Sequence, residues 1–254
     1  CDDVEKQYNE AIAVRRHDVD GLRDQGQDAS VALREVERLR RERWMNLCEL
    51  LSFVDFEDFG GVHVNDRRFL GKCLTQILEW TGKTDARIVY DSNVMPFTCD
   101  ALFNRVRNSK RVALIAFTAD DDVFGGFYTL DSMPVQSRPS FDPNMFLFSF
   151  ESHGRCKTPK RFFVKEDLKD DAFVKFHKSN PYRWVVSFTV NEHGELKLGN
   201  EASHSWCLSL SKAFDGLEDR SLTGKTMERG TKYYSREFYQ NFVHCIRLVA
   251  VHIT

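Results

Sequence analysis

Lys110-Arg111-Val112-Ala113-Leu114-Ile115-Ala116-Phe117 opens the stretch that decides the fold, and Phe141-Asp142-Pro143-Asn144-Met145-Phe146-Leu147-Phe148-Ser149-Phe150 closes it. Between them runs Val123-Phe124-Gly125-Gly126-Phe127-Tyr128. Three short β-branched and aromatic runs separated by turn residues predict three strands of an antiparallel sheet. Asp120, Asp121 and Asp122 supply the first turn and Asp142-Pro143-Asn144 the second. Glycine weakens a strand interior, so the pair Gly125-Gly126 marks a bulge or a close backbone approach.

The order Val-Phe-Gly-Gly-Phe, then Asp-Pro-Asn-x-Phe-Leu-Phe-Ser-Phe, resembles the core of the TLDc domain family of eukaryotes. Upstream, Ile88-Val89-Tyr90-Asp91-Ser92 and Phe97-x5-Phe103 look like that family's opening strand and helix. Phe242-Val243-x-x-Ile246-x-Leu248-Val249 looks like its last strand. The resemblance covers Arg87 to the end. It implies two antiparallel sheets flanked by short helices, with Gly125, Gly126, Asp142, Pro143 and Phe146 as structural motif residues. It also implies a protein-interaction module without a settled enzymatic activity. Members are associated with resistance to oxidative stress, and several bind and regulate the vacuolar proton-pumping ATPase. Where the family tends to have a glycine-rich turn, this chain has Leu198-Gly199-Asn200-Glu201-Ala202.

Outside that stretch the strand pattern continues at Ala86–Tyr90, Lys160–Val164, Trp184–Val190, Gly194–Leu198, Ser205–Leu210 and Phe242–Ile253, with Asn191-Glu192-His193-Gly194 as a hairpin turn. A helix is predicted over Phe97–Asn108, capped by Thr98. Asp215–Tyr234 is polar and glycine-containing and predicts a long loop. Many strands with little helix between them give a mainly β, α+β chain: a two-sheet antiparallel sandwich over residues 86–254.

Ahead of it, residues 60–85 hold a connecting helix from Asp66 to Trp80, with Phe69, Leu70, Cys73, Leu74, Ile77 and Leu78 on one side; Gly82 ends it. Residues 1–59 contain no proline. Tyr8, Ile12, Val19, Leu22, Ala29, Leu33 and Val36 follow a heptad seam of alternating four- and three-residue steps, interrupted by Arg15, Gly26, Arg40 and Arg43. A seam this narrow cannot bury itself on one helix, so it predicts a coiled-coil dimer held by Val19, Leu22, Ala29, Leu33 and Val36. The alternative is a long helix folded back on the sheets.

The net charge of -2 carries no general nucleic-acid signal. Locally, Arg34, Arg38 and Arg41 share one helical face and are candidate anion contacts, although Glu35, Glu37 and Glu42 interleave with them. A hydrophobic fraction of 42% and a charged fraction of 29% are ordinary for a soluble protein. No run approaches the ~18 apolar residues of a membrane span. No signal-peptide pattern is read at the start, and Cys1 is expected to be a trimmed end. Seven scattered cysteines with no C-x-x-C pair predict reduced thiols in the cytoplasm, or in the nucleus, rather than a disulfide framework.

Chemistry is sparse. Gly224-Lys225-Thr226 and Gly82-Lys83-Thr84 end like phosphate-binding loops but lack the leading glycine, having Asp219 and Ile77 there. His153-x-x-Cys156, His204-x-x-Cys207 and His244-Cys245 have local metal-like spacing. Zinc needs about four convergent ligands, and none of these pairs lies in a knuckle of turn residues, so no metal is expected. No G-x-S-x-G elbow is present. Cys156 is the reactive-thiol candidate, because Arg155 and Lys157 flank it and favour a thiolate; Cys48 is a second. The reading is a non-enzymatic, cofactor-free interaction protein that pairs with itself and with another protein, the vacuolar ATPase being the partner the resemblance implies. The alternatives are a nucleic-acid-binding regulator using the arginine face and a hydrolase with an unrecognised triad.

Overall fold

The computed structural model describes residues 64–130, 134–177, 184–199, 205–227 and 241–254, with Glu10, Ala11, Val14, His17, Asp18, Gly21 and Leu22 before them, all seven helical. Leu22 is half-buried. Val19, Ala29, Leu33 and Val36 of the predicted seam lie outside the described residues, as do Arg34, Arg38, Arg41 and Cys48. The chain divides into two compact units, Cys1–Ala86 with Thr254, and Arg87–Ile253.

In the first unit, α1 spans Val64–Thr81. Leu70, Cys73, Leu74, Ile77 and Leu78 are buried along it. Gly82 ends the helix at φ +63°, with its N–H on Glu79 O and the Lys83 N–H on Leu78 O at 3.1 Å. That pairing closes a helix on a left-handed residue, where glycine has no Cβ penalty.

The second unit is built on antiparallel strands. They are β1 (Ala86–Asp91), β2 (Arg111–Thr118), β3 (Val123–Thr129), β4 (Pro139–Phe141), β5 (Phe146–Glu151), β6 (Lys160–Phe163), β7 (Ala172–Phe176), β8 (Val186–Val190), β9 (Gly194–Leu198), β10 (Trp206–Leu208) and β11 (Cys245–Ile253). Helix α2 spans Cys99–Val106, and a single-turn α3 spans Leu210–Ala213. Thr98 caps α2, its side chain accepting from the Ala101 N–H at 3.3 Å. One sheet runs β1-β11-β2-β3-β5-β6 and the other β10-β9-β8-β7-β4.

The two sheets share one core. Leu114, Phe124, Tyr128, Leu147 and Leu248 of the first meet Val174, Phe176, Phe188 and Leu196 of the second. Tyr128 packs edge-on to Phe176 across the interface, centroids 6.0 Å apart. Strands β2 and β3 are buried on both faces, so they read as continuous apolar runs rather than alternating ones.

Three readings need correction. The Phe141–Phe150 run is divided: Phe141 ends β4 in the second sheet, while β5 starts at Phe146 in the first. The chain changes sheets at Asp142-Pro143-Asn144-Met145, where proline cannot donate to a ladder. The predicted strand Ser205–Leu210 stops at Leu208, and α3 begins at Leu210. Strand β7 lies outside every predicted strand: Lys175 interrupts its apolar run, and a 3-10 turn, Glu166–Asp171, leads straight into it.

Candidate functional site

Three segments far apart in sequence meet at one end of the sandwich. They are the β2–β3 corner at Ala119–Asp122, the turn-rich loop after β5, and the segment 215–227. The corner closes on itself: Thr118 Oγ1 accepts the Asp122 N–H at 3.0 Å, and Asp121 adopts φ +60°. In the loop after β5, one Glu151 carboxylate oxygen accepts the N–H groups of Ser152 and His153 at 2.9 and 2.8 Å. Ser152 Oγ accepts the Cys156 N–H at 2.7 Å. Aspartate, serine and threonine side chains turn a backbone in this way without a sheet partner.

Charge joins the three segments. Arg155 Nη2 donates to Asp122 Oδ1 and, at 3.3 Å, to Leu222 O. Lys225 Nζ meets Asp120 Oδ2 at 2.7 Å. His153 Nε2 donates to Asp120 O at 2.5 Å and stands 3.9 Å from Asp122 Oδ1. Lys160 Nζ reaches Gly216 O at 3.3 Å.

Asp122 is 2% exposed, whereas Asp120 is 56% exposed. Burial pushes the Asp122 carboxyl above the usual range, with the Arg155 guanidinium pulling against it. The Lys225 ammonium holds the Asp120 carboxyl below its ordinary value. The result is a buried ion pair acting as a rivet, with Asp120, His153 and Lys225 presented around it.

Cys156 belongs to this loop. It is half-buried, with Sγ 3.8 Å from Ser221 O. The expectation that Arg155 would favour its thiolate meets a competing demand, because that guanidinium is spent on Asp122 and Leu222. Cys73, Cys99, Cys207 and Cys245 are buried. Burial pushes the Cys99 thiol up to about 11 and those of Cys207 and Cys245 to about 12, and raises Cys73 as well. His153 and Cys156 do lie in a turn-rich loop, contrary to expectation. Even so, no three His, Cys, Asp or Glu side chains among the described residues converge to hold a metal.

The motif residues sit inside the sandwich. An added Cβ on Gly125 would strike Leu114 O of β2 and lie 2.9 Å from the Phe148 ring of β5. On Gly126 it would lie 2.5 Å from Cζ of Phe188, across the interface in β8. Of the two readings of this pair, close approach is the one observed, and no register shift falls at either glycine. Asp142, 1% exposed, accepts the Thr129 N–H at 2.6 Å and the Asn144 N–H at 3.0 Å, tying the sheet-changing corner to the end of β3. Pro143 stands between them in the corner. Phe146 lies between Phe127 and Phe163, with centroids at 4.9 and 5.5 Å.

Asp120, Asp122, His153, Arg155 and Lys225 form the site that sequence reading missed. Its only linear signals are the aspartate turn and the basic loop, and neither shows that they meet. Compared with known proteins, the chain matches no family model and no curated protein.

Proposed function

We propose that this protein is a non-enzymatic interaction module of the TLDc type, with the riveted loop end as its contact surface and an N-terminal coiled coil as its dimerising arm. The observation that carries the reading is the Asp122–Arg155 pair. It fixes loops from three parts of the chain into one charged surface, so a partner meets groups already held in place and little ordering entropy is lost on binding. The motif residues favour the same reading. Gly125, Gly126, Asp142 and Phe146 are occupied with packing the sheets, which leaves recognition to the loops.

The TLDc resemblance supplies the partner class: a protein of the oxidative-stress response or the vacuolar proton-pumping ATPase, met in the cytoplasm. Affinity capture from native cells with the full chain as bait tests this. Proton-pump subunits retained in stoichiometric amounts are the expected result. Recovery of nothing above an unrelated bait sinks the reading.

A further inference from the structure

The loop after β5 enters β6 through Thr158-Pro159-Lys160-Arg161. Of the six prolines in the chain, Pro159 alone follows a serine or threonine. A hydroxyl residue, then proline, then a base at the third position beyond the hydroxyl is the pattern that proline-directed kinases take. Proline has no N–H, so a groove that offers no acceptor at that position takes proline and rejects residues whose donor would be left unpaired.

Three observations make the pattern usable in the folded chain. First, Lys157, Thr158, Pro159 and Lys160 are consecutive and all exposed. Second, the segment favours the extended shape a kinase groove requires. A residue before proline is held away from the helical region, and Lys160 and Arg161 begin β6, an edge strand of its sheet. Third, that edge is open at this end. Among the described residues, the segment 213–215 pairs with β6 only from Phe163 onward, where the Asp215 N–H meets Phe163 O at 2.9 Å. An unpaired strand edge is a template along which another chain can lie.

The surroundings carry one sign of charge. From Ser152 to Val164 the chain holds Arg155, Lys157, Lys160 and Arg161 and no aspartate or glutamate. Arg155 belongs to the rivet, and Lys160 Nζ donates to Gly216 O at 3.3 Å, so this basic strip is part of the loop-end surface. We propose that Thr158 is a phosphorylation site of a proline-directed kinase, and that its phosphate weakens the hold of the basic strip on an acidic partner segment. ATP supplies the group. Thr158 Oγ1 bonds to the γ-phosphorus, the bond from that phosphorus to the bridging oxygen breaks, ADP leaves, and the hydroxyl proton passes to the base of the kinase. Nothing is oxidised or reduced. The product adds about −1.5 to −2 charges at neutral pH to a strip of four cations. It also competes with Gly216 O for the ammonium of Lys160, two residues on in sequence. The modification and its electrostatic effect stand on the loop itself; the partner on which they act rests on the contact-surface reading.

The test uses the full chain, a kinase of the cyclin-dependent class with ATP, and poly-glutamate resin as the acidic probe. One phosphate mapping to Thr158 is expected. Thr158→Ala should abolish it and Thr158→Ser should keep it, and both variants should melt with wild type because the residue is exposed. The phosphorylated chain should leave the resin at lower salt than the untreated chain, with retention at fixed salt reduced about tenfold. Kinase-treated Thr158→Ala should elute with untreated wild type. A folded chain that takes no phosphate at Thr158 overturns the proposal. So does a phosphorylated chain that elutes with the untreated one. Neither readout uses partner capture from native cells, so failure here and failure of the contact-surface reading are told apart.

Discussion

The Phe188 ring of the second sheet occupies the space that a β-carbon on Gly126 of the first sheet would need, with Cζ 2.5 Å from that position. The two sheets come together because one strand has no side chain where the other carries its largest. Gly126→Val should therefore cost roughly 2–4 kcal/mol, a large share of a domain's stability. Phe188→Leu in the same chain should restore part of the loss, and the pair of melting temperatures checks the coupling. An unshifted melting temperature for Gly126→Val contradicts it.

Gly125 faces a harder obstacle. Its neighbour is the Leu114 carbonyl, which is backbone and cannot rotate away. Gly125→Ala should destabilise more than Gly126→Ala in urea unfolding. The reverse order would place the tighter constraint at the ring rather than at the carbonyl.

The rivet makes a signed prediction about pH. The Asp122 carboxyl titrates above its unfolded value, so the folded state holds the extra proton and stability rises as pH falls toward about 3.9, the unfolded value. Arg155→Ala removes the guanidinium that opposes this rise. The variant should be less stable than wild type at pH 7, and the gap should narrow on acidification. Urea midpoints at pH 7 and pH 4.5 measure it; a gap that widens in acid refutes the assignment. Asp120 runs the other way, losing the Lys225 contribution as pH falls, but on an exposed pair this amounts to about 1 kcal/mol at most.

Thiol reactivity should follow burial. Cys156 is half-buried in a loop, while Cys73, Cys99, Cys207 and Cys245 are enclosed and held protonated. Limited maleimide labelling in native buffer should modify Cys156 before any of these four. Peptide mapping that finds Cys207 or Cys245 first would contradict their enclosure.

How much was legible in the sequence varies with the range of the interaction. Strands β2, β3 and β5 and the Thr98 cap are local matters of side-chain type and turn chemistry, and the sequence shows them. That Gly125-Gly126 answers to Leu114 and Phe188 needs two long-range registers, which no local pattern contains. The change of sheets at Asp142 looks like an ordinary turn until Thr129 is seen donating to its carboxylate. The loop-end site was invisible for the same reason, since Asp122, Arg155 and Leu222 are strangers in sequence.

The proposed coiled coil is open to a direct measurement of mass. Light scattering of the full chain should give a dimer, and removal of the residues before Phe53 should give a monomer. A monomeric full-length protein would remove the arm from the account.

The central claim is that the riveted loop end is the surface a partner reads. The double variant Asp120→Lys with Lys225→Asp keeps the internal ion pair but inverts the charges shown to solvent. Quantitative capture from native cells should give the same melting temperature for bait and variant, and loss of the captured partner by tenfold or more in the variant. Undiminished capture by a well-folded variant would show that the partner binds elsewhere.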